Sequence, residues 1–267
     1  MMSGLVYRKR RRQNMTALER SWFEEAQQSM HGWDFSHLAG RWQTADLPWD
    51  YAALVREHLS ADDRWLDIDT GGGELMGRFN PQPALTAVTE GWQPNIELLK
   101  QTVVKKGITL YPDAAEQLTA VPNSTFDIVT NSHGAMPVKR IAEVLKPGGR
   151  FVTQQVGATN NYALSRFFDE HYETAYPDNQ LLTVMAQMQA AGFEILRAEQ
   201  AYAALSFTDV GAIVYYATVI PWEFPHFDVA RMLPKLHQLQ SLLAINGRVT
   251  TFEDRFMIIA RKLARRD

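Results

Sequence analysis

A glycine-rich segment flanked by acids is the part of this sequence whose residue types point most directly to ligand binding. It reads Asp67-Ile68-Asp69-Thr70-Gly71-Gly72-Gly73-Glu74, and it follows a short apolar run and precedes a helical pattern. Glycine permits a left-handed backbone and lets a ligand lie against the main chain. The start of the following helix would offer unpaired N–H groups to a carboxylate or phosphate. The acids around the loop favour a cationic or hydroxyl-rich ligand over a polyphosphate.

The spacing of the glycines separates the nucleotide-binding classes. The dinucleotide fingerprint G-x-G-x-x-G is incomplete, because Gly71 and Gly73 supply two glycines but Met76 stands at the third place. A P-loop is excluded, because no Gly-Lys-Ser/Thr sequence follows the loop. The pattern acid-x-Gly-x-Gly-x-Gly fits better, with Asp67 as its acid and Asp69 in place of its first glycine. The alternative is a glycine-rich turn that binds nothing.

Other polar residues follow the predicted strands, at the sheet edge where such folds bind ligands. Glu90 ends the second strand, where an acid can accept hydrogen bonds from a ribose diol; the alternative is a helix-capping acid. Asp113 follows the third strand, and the alternative for it is a solvated turn acid. Asn131 and Ser132 end the fourth. His133 comes next and is the candidate general base, or else a hydrogen-bonded loop histidine.

The apolar pattern from residue 64 onward predicts a parallel sheet. Short apolar runs alternate with helical patterns, which indicates βαβ units. Strands are predicted at 64–68, 85–89, 108–111, 126–130, 150–155, 193–205 and 249–261, and helices at 73–79, from Pro94, and at 138–145, 179–191, 209–219 and 228–243. The predicted fold is α/β, a Rossmann-like doubly wound seven-stranded sheet, mostly parallel with an antiparallel C-terminal strand, plus N-terminal helices and a helical insertion.

The N-terminal part of the chain is rich in aromatic residues and its pattern is helical over 16–60. Asp50 is predicted to cap a helix over 51–59, because its side chain can accept from the unpaired N–H groups of the first turn. We expect a single domain over 16–267. Within it, residues 16–50 would form a helical cap and 206–245 a helical insertion, both covering the active site.

The charge distribution argues against a nucleic-acid partner. Five of the 27 basic residues lie in the run from Arg8 to Arg12, whereas all 30 acidic residues lie beyond it. Affinity for nucleic acid comes largely from basic side chains that neutralise phosphates, so the acidic remainder is a poor polyphosphate binder. Residues 1–15 are predicted to be a disordered basic tail, with Met15 as an alternative start; a nucleic-acid arm is the other interpretation.

Composition excludes several classes of site. The chain has no cysteine, which rules out disulfides, thiolate metal sites and a cysteine nucleophile. Its seven histidines are scattered without metal-ligand spacing, so no metal is expected. No apolar run reaches the roughly 18 residues of a membrane span. We therefore expect a cytoplasmic protein without a membrane partner, either a monomer or a homodimer.

The order of these motifs resembles the small-molecule branch of the class I S-adenosylmethionine-dependent methyltransferases. The resemblance covers residues 50–155 and is carried by the glycine loop, by Phe126-Asp127-Ile128-Val129, and by Lys146-Pro147-Gly148-Gly149. Within that branch, the chain is similar to the methyltransferase type 11-like proteins. The segments Trp-Asp-Phe-Ser and Leu-Pro-Trp-Asp-Tyr within residues 32–51 are similar to an uncharacterised bacterial subgroup.

The resemblance implies S-adenosyl-L-methionine as the cofactor and a small-molecule methyl acceptor. The loop residues Asp67, Asp69, Thr70, Gly71 and Gly73 would hold its methionine part, Glu90 its ribose hydroxyls, Asp113 and the Ala114 N–H its adenine, and Asn131 and Ser132 would lie beside the methyl group. Gln154, Gln155, Asn160 and Asn161 are candidates for orienting a polar acceptor. A nucleic-acid methyltransferase, a non-catalytic protein that binds the cofactor or its demethylated product, and an NAD-dependent oxidoreductase are the alternatives.

Overall fold

The computed structural model describes residues 15–30, 32–113 and 116–264. The basic run at 8–12 and Ala114 lie outside the described residues. The chain forms two compact units. Among the described residues, the helical unit comprises those within 15–46, 159–177 and 202–253, and the loop unit comprises those within 47–158, 178–201 and 254–264. No helix among the described residues is long and apolar enough to cross a membrane.

In the described part of the chain, eight strands form one mixed sheet. They are β1 (Trp42–Thr44), β2 (Trp65–Ile68), β3 (Thr86–Thr89), β4 (Thr109–Tyr111), β5 (Phe126–Ser132), β6 (Leu145–Val156), β7 (Phe193–Phe207) and β8 (Val249–Lys262). Their order is β1-β7-β8-β6-β5-β2-β3-β4. The strands from β6 to β4 run parallel, whereas β8 is antiparallel to β6 and β1 is antiparallel to β7.

The helices connect these strands in the alternating order that the sequence predicts. They are α1 (Ala17–Glu25), α2 (Tyr51–His58), α3 (Glu74–Gly77), α4 (Gln93–Gln101), α5 (Val138–Val144), α6 (Tyr162–Phe168), α7 (Leu181–Ala190), α8 (Val210–Val219) and α9 (Val229–Asn246). The predicted cap of α2 is confirmed, because the Asp50 side chain accepts from the Ala53 N–H at 3.1 Å.

In the loop unit, both faces of the parallel strands are buried. Leu66 and Ile68 belong to one apolar cluster, together with residues of α5 and α7. Trp65 belongs to a second cluster, with residues of α2 and α4. Alternate residues of one strand therefore enter different cores, which is the packing of a sheet covered by helices on both sides.

The α/β class and the mostly parallel sheet are confirmed, and three local differences stand out. The sheet has eight strands rather than seven, because Trp42–Thr44 pairs with β7 inside the segment predicted as helical. Helix α3 is a single turn rather than residues 73–79. Helix α6 was not predicted. All three are short elements, in which an apolar period is hard to detect.

Candidate functional site

The glycine loop lies at the carboxyl edge of the parallel strands. Asp67 pairs with Thr130 of β5 on one side and with Val88 of β3 on the other. The ends of β2, β3 and β5 are therefore adjacent, so the loop, Glu90 and the residues after β5 meet at one edge. Ligands of open α/β sheets bind at this edge.

The loop backbone uses left-handed conformations. Gly71 and Gly73 have φ of 62° and 82°, and Asp69 has 53°. A Cβ on Gly73 would lie 3.2 Å from Val103 Cγ1, whereas a Cβ on Gly71 would have no atom within 4 Å. Gly73 is thus required by packing as well as by backbone geometry, while space is open beside Gly71. Helix α3 has only one turn, so its macrodipole at this loop is weak.

The Asp67 carboxylate ties the loop to the central strands. Thr70 Oγ1 donates to it at 2.7 Å and Thr130 Oγ1 donates at 2.5 Å. Thr130 in turn accepts from the buried Trp65 indole N–H at 2.8 Å. Burial raises the pKa of Asp67 to about 6, against the two hydroxyl hydrogen bonds that lower it. Both carboxylate oxygens are engaged, so Asp67 positions the loop.

Asp69 stands where the methyltransferase pattern has a glycine, and its side chain reaches the segment after β5. Its backbone N–H donates to Thr89 Oγ1 at 3.1 Å, and its Oδ2 accepts from the Ala135 N–H at 3.3 Å. Burial raises the pKa of Asp69 to about 6, and the negative charges of Glu90, Glu116 and Asp67 add to this rise. The ionised form of this carboxylate is therefore poorly stabilised by its surroundings.

Glu90 is 6% exposed and lies at the start of α4. It accepts from the Trp92 N–H at 2.8 Å and from Asn95 Nδ2 at 3.1 Å, one bond to each oxygen. Glu90 therefore bonds the backbone N–H of the residue just before α4 and one side chain of the first turn, and it accepts from no backbone N–H of the helix itself among the described residues. A carboxylate oxygen has two acceptor sites, so the same side chain keeps capacity for a diol.

Asp113 follows β4 and has one engaged oxygen. Its Oδ2 accepts from the Ala120 N–H at 2.7 Å and from Thr119 Oγ1 at 3.1 Å. Its Oδ1 accepts no hydrogen bond from the described part of the chain. The side chain is held in place by Oδ2, and Oδ1 remains available as an acceptor.

Asn131 is fully buried in a polar network at the end of β5. Its Nδ2 lies 3.4 Å from the carbonyl oxygens of Ile68 and Ala135, and its Oδ1 accepts from Gln155 Nε2. Tyr51 Oη is 3.1 Å from the Asn131 carbonyl oxygen. Asn131 and Gln155 therefore join neighbouring chain segments. The sequence did not indicate Tyr51, whose only signal was its place on the apolar face of α2.

Ser132 and His133 follow Asn131 at the same edge. Ser132 Oγ accepts from Gln154 Nε2 at 2.9 Å, and the His133 N–H donates to the Gln154 carbonyl oxygen at 2.9 Å. The His133 ring contacts solvent, but desolvation by the surrounding protein, with the positive charge of Arg255, lowers its pKa. The imidazole is neutral at pH 7 and can accept a proton, although its weak basicity limits the driving force.

The remaining predicted acceptor residues, Asn160 and Asn161, lie in the helical unit. Their side-chain amides donate to the buried carboxylate of Glu223, and Asn161 also donates to Tyr216 Oη at 2.9 Å. Asn161 Oδ1 is buried and accepts no hydrogen bond from the residues that the structure describes. Sequence reasoning missed Glu223, because a lone acid inside an apolar segment carries no motif.

Aromatic residues of the helical unit fall into a buried group and an exposed group. Phe168 and Phe224 belong to its buried core, and Tyr172 is 4% exposed. Tyr162, Tyr176 and Trp222 are exposed. The exposed set is available to bind a ligand, whereas the buried set packs the core.

The carboxyl edge of the sheet is negatively charged without basic partners. None of Asp67, Asp69, Glu90 and Asp113 forms an ion pair with a residue that the structure describes. Nor do the described residues contain a group of three or more histidines and carboxylates that could hold a metal ion. Such an edge suits an organic cation that also carries hydroxyl and amino donors.

Comparisons with known proteins identify one curated relative of part of this chain. No protein-family model matches the chain. A curated relative, the ubiquinone/menaquinone biosynthesis C-methyltransferase UbiE of Teredinibacter turnerae (strain ATCC 39867 / T7901), is 26% identical over 137 residues. The match covers 45% of this chain and 54% of UbiE, so the chain spans about half the length of that relative.

Solved structures match more of the chain. BH2331 of Bacillus halodurans C-125, described as a candidate methyltransferase, has a TM-score of 0.55 and 17% identity, covering 80% of this chain and 99% of its own. YcgJ of Bacillus subtilis has a TM-score of 0.54 and 18% identity with the same coverage. A functionally unknown protein from Deinococcus radiodurans R1 has a TM-score of 0.55 and 14% identity, covering 83% and 92%. At these identities the likeness establishes the fold.

Proposed function

We propose that this chain, whose fold is that of the class I S-adenosylmethionine-dependent methyltransferases, is an enzyme that methylates a small molecule with S-adenosylmethionine. One observation carries the proposal. The glycine loop, Glu90 and Asp113 follow β2, β3 and β4, three adjacent parallel strands, and so form one row of acidic side chains at one edge of the sheet. The partial match to UbiE, a C-methyltransferase, agrees with a small-molecule acceptor.

We assign the parts of the cofactor to the residues that follow successive strands. The loop from Asp67 to Gly73 would hold the methionine part, Glu90 the ribose hydroxyls, and Asp113 with the Ala114 N–H the adenine. Asn131 and Ser132 would lie beside the methyl group. The open space at Gly71 supports this assignment, because the cofactor backbone needs close approach to the loop.

Bound S-adenosylmethionine would supply a methyl group on a positively charged sulfur for in-line displacement. The protein would then act mainly by alignment, which can lower a barrier by roughly 7–11 kcal/mol. His133 is the candidate for accepting a proton from the acceptor. Its lowered pKa keeps it neutral at pH 7 and suits it to an acceptor that loses its proton easily.

A second candidate is a protein that binds the cofactor or its demethylated product without catalysis. The observation in its favour is Asp69, because an acid at this loop position departs from the methyltransferase pattern. A nucleic-acid methyltransferase has less support, because the basic residues are concentrated in the run at 8–12 and the rest of the chain is acidic.

Calorimetric titration with S-adenosylmethionine, S-adenosylhomocysteine and NADH tests the cofactor assignment. We expect the two sulfur nucleosides to bind and NADH not to bind. Glu90→Ala should weaken both by about tenfold or more, because it removes a charged acceptor from the ribose hydroxyls. Glu97→Ala is the matched control, since this exposed acid on α4 contacts its helix neighbours Gln93 and Lys100 and lies outside the acidic row, so its loss should leave both affinities unchanged.

Release of S-adenosylhomocysteine in the presence of quinols, phenols, amines or total tRNA then tests catalysis. Turnover with a small molecule alone supports the proposal. Turnover with tRNA alone, or binding of NADH in the titration, would contradict it. Tight binding without turnover on any acceptor would favour the non-catalytic candidate.

A further inference from the structure

The Asp69 carboxylate accepts fewer hydrogen bonds from the described residues than the other acids of the candidate cofactor site, with one bond from the Ala135 N–H at 3.3 Å. We propose that Asp69 binds the α-ammonium group of the methionine part of S-adenosylmethionine and so makes recognition depend on the amino-acid end of the cofactor. This inference rests on the proposed function. It goes beyond it by giving a specific atom of the ligand to the residue that departs from the methyltransferase pattern.

The backbone and its neighbours hold the carboxylate between two chain segments. The left-handed conformation of Asp69 is fixed by its N–H bond to Thr89 Oγ1 at 3.1 Å. A Cβ on Gly134 would lie 2.7 Å from Asp69 Oδ2 and 2.7 Å from Asn131 Nδ2. The Asp69 side chain therefore lies against the loop after β5 and fits there because residue 134 has no side chain. It spans from the glycine loop to the segment proposed to flank the methyl group.

The acceptor capacity of this carboxylate is largely unused. Oδ2 accepts one long bond, 3.3 Å from the Ala135 N–H, and Oδ1 accepts none from the described residues. An ionised carboxylate has about four acceptor sites. A ligand that brings several N–H donors would complete the set.

The charges that face Asp69 are all of one sign. They are Asp67 on β2, Glu90 after β3, and Glu116 after β4. No Lys, Arg or His among the described residues pairs with Asp69. A partly buried carboxylate that faces other acids is unfavourable unless a cation joins it, so the site favours a positively charged ligand.

The two cationic centres of S-adenosylmethionine differ in what they offer. The sulfonium has no hydrogen to donate, whereas the ammonium has three N–H donors. The unused acceptor sites of Asp69 therefore match the ammonium, with which a carboxylate forms strong charge-assisted hydrogen bonds. S-adenosylhomocysteine carries the same ammonium, but 5′-methylthioadenosine lacks the whole amino-acid part.

Calorimetry with S-adenosylhomocysteine and 5′-methylthioadenosine distinguishes the contribution of Asp69 to affinity from the contributions of the residues that contact the nucleoside. Asp69→Asn keeps the size of the side chain and an acceptor for the Ala135 N–H but removes the charge. We expect the affinity for S-adenosylhomocysteine to fall by about tenfold or more, while the affinity for 5′-methylthioadenosine stays within about twofold. Asp113→Asn is the matched control, because a loss of an adenine contact should weaken both ligands equally.

The pH dependence gives a second readout. Wild-type affinity for S-adenosylhomocysteine should weaken as pH falls below about 6, because protonation removes the Asp69 charge. The affinity of Asp69→Asn for S-adenosylhomocysteine should change less over this range. Both proteins retain Asp67, Glu90 and Glu116, so the difference between their pH dependences reports the protonation of Asp69. Asp69→Gly, which suits the left-handed backbone, replaces Asp69→Asn if the latter does not fold.

Three outcomes would overturn the inference. They are unchanged affinity of Asp69→Asn for S-adenosylhomocysteine, an equal loss for both ligands, and the same pH dependence in wild type and variant. Failure of the proposed function looks different. In that case the wild-type protein binds none of S-adenosylmethionine, S-adenosylhomocysteine and 5′-methylthioadenosine.

Discussion

At the scale of single residues, a chain of hydrogen bonds between neighbouring strands holds the glycine loop of the candidate site. It runs through Trp65, Thr130 and Asp67. The indole N–H donates to the Thr130 hydroxyl, and the same hydroxyl donates to the Asp67 carboxylate. The loop is therefore held by a donor chain that begins in the apolar core. The sequence motif identified Asp67 but not Thr130, because pairing between β2 and β5 brings together residues 63 positions apart.

At the same scale, His133 tests whether catalysis uses a base. His133→Asn suits the left-handed backbone of this position, where φ is 66°. If His133 accepts the acceptor proton, kcat should fall by about 100-fold or more, while S-adenosylhomocysteine affinity stays unchanged.

The pH profile of this reaction is also informative. Because the pKa of His133 is lowered, its ionisation should leave the rate flat between about pH 6 and pH 8. Restoration of the rate at higher pH in His133→Asn would support a base role, since the acceptor would then ionise without help. An unchanged kcat in the variant would assign His133 to the loop structure alone.

At the scale of elements, the turn from β2 to α3 depends on two glycines for different reasons. Gly73→Ala forces a side chain into the left-handed region and against Val103, whereas Gly71→Ala meets only the backbone penalty. We expect Gly73→Ala to lower the free energy of unfolding by about 2 kcal/mol and Gly71→Ala by about 1 kcal/mol.

Ligand binding should reverse this ranking. The open side of Gly71 is where the cofactor would approach. Gly71→Ala should therefore lower the affinity for S-adenosylhomocysteine more than Gly73→Ala does. Urea denaturation and calorimetry on both variants measure the two effects. Equal ligand affinities for Gly71→Ala and wild type would place the cofactor elsewhere.

The sequence predicted long elements well and short ones poorly. The strands of the parallel sheet and helix α9 have enough residues to show a period, so their bounds were placed within a few residues. Strand β1 has three residues and exists because β7 offers it a hydrogen-bonding edge, which no local pattern reveals. The motif likewise gave the candidate site positions, but the contacts of Asn131 and Glu90 depend on partners that only the fold brings near.

At the scale of the whole molecule, the acidic edge should make stability depend on pH. The pKa values of Asp67 and Asp69 are raised to about 6 in the folded protein, above their ordinary value. The folded protein therefore binds more protons than the unfolded chain between about pH 4 and pH 6. Its free energy of unfolding includes a favourable contribution below about pH 4 that is lost as pH rises through 6.

Asp69→Asn isolates half of this effect. The variant lacks the charge, so it should be more stable than wild type by about 2 kcal/mol at pH 7 and equal to it at pH 4. Urea denaturation at several pH values measures the difference. A variant less stable than wild type at pH 7 would show that the carboxylate stabilises the loop and would contradict the raised pKa.

The close packing around Gly134 has an evolutionary consequence. A methyl group there would collide with both Asp69 and Asn131, so the three positions cannot change independently. A larger residue at 134 requires the side chains at 69 and 131 to shift or to be replaced by smaller ones. Replacements at these three positions should therefore be correlated as sequences related to this one diverge.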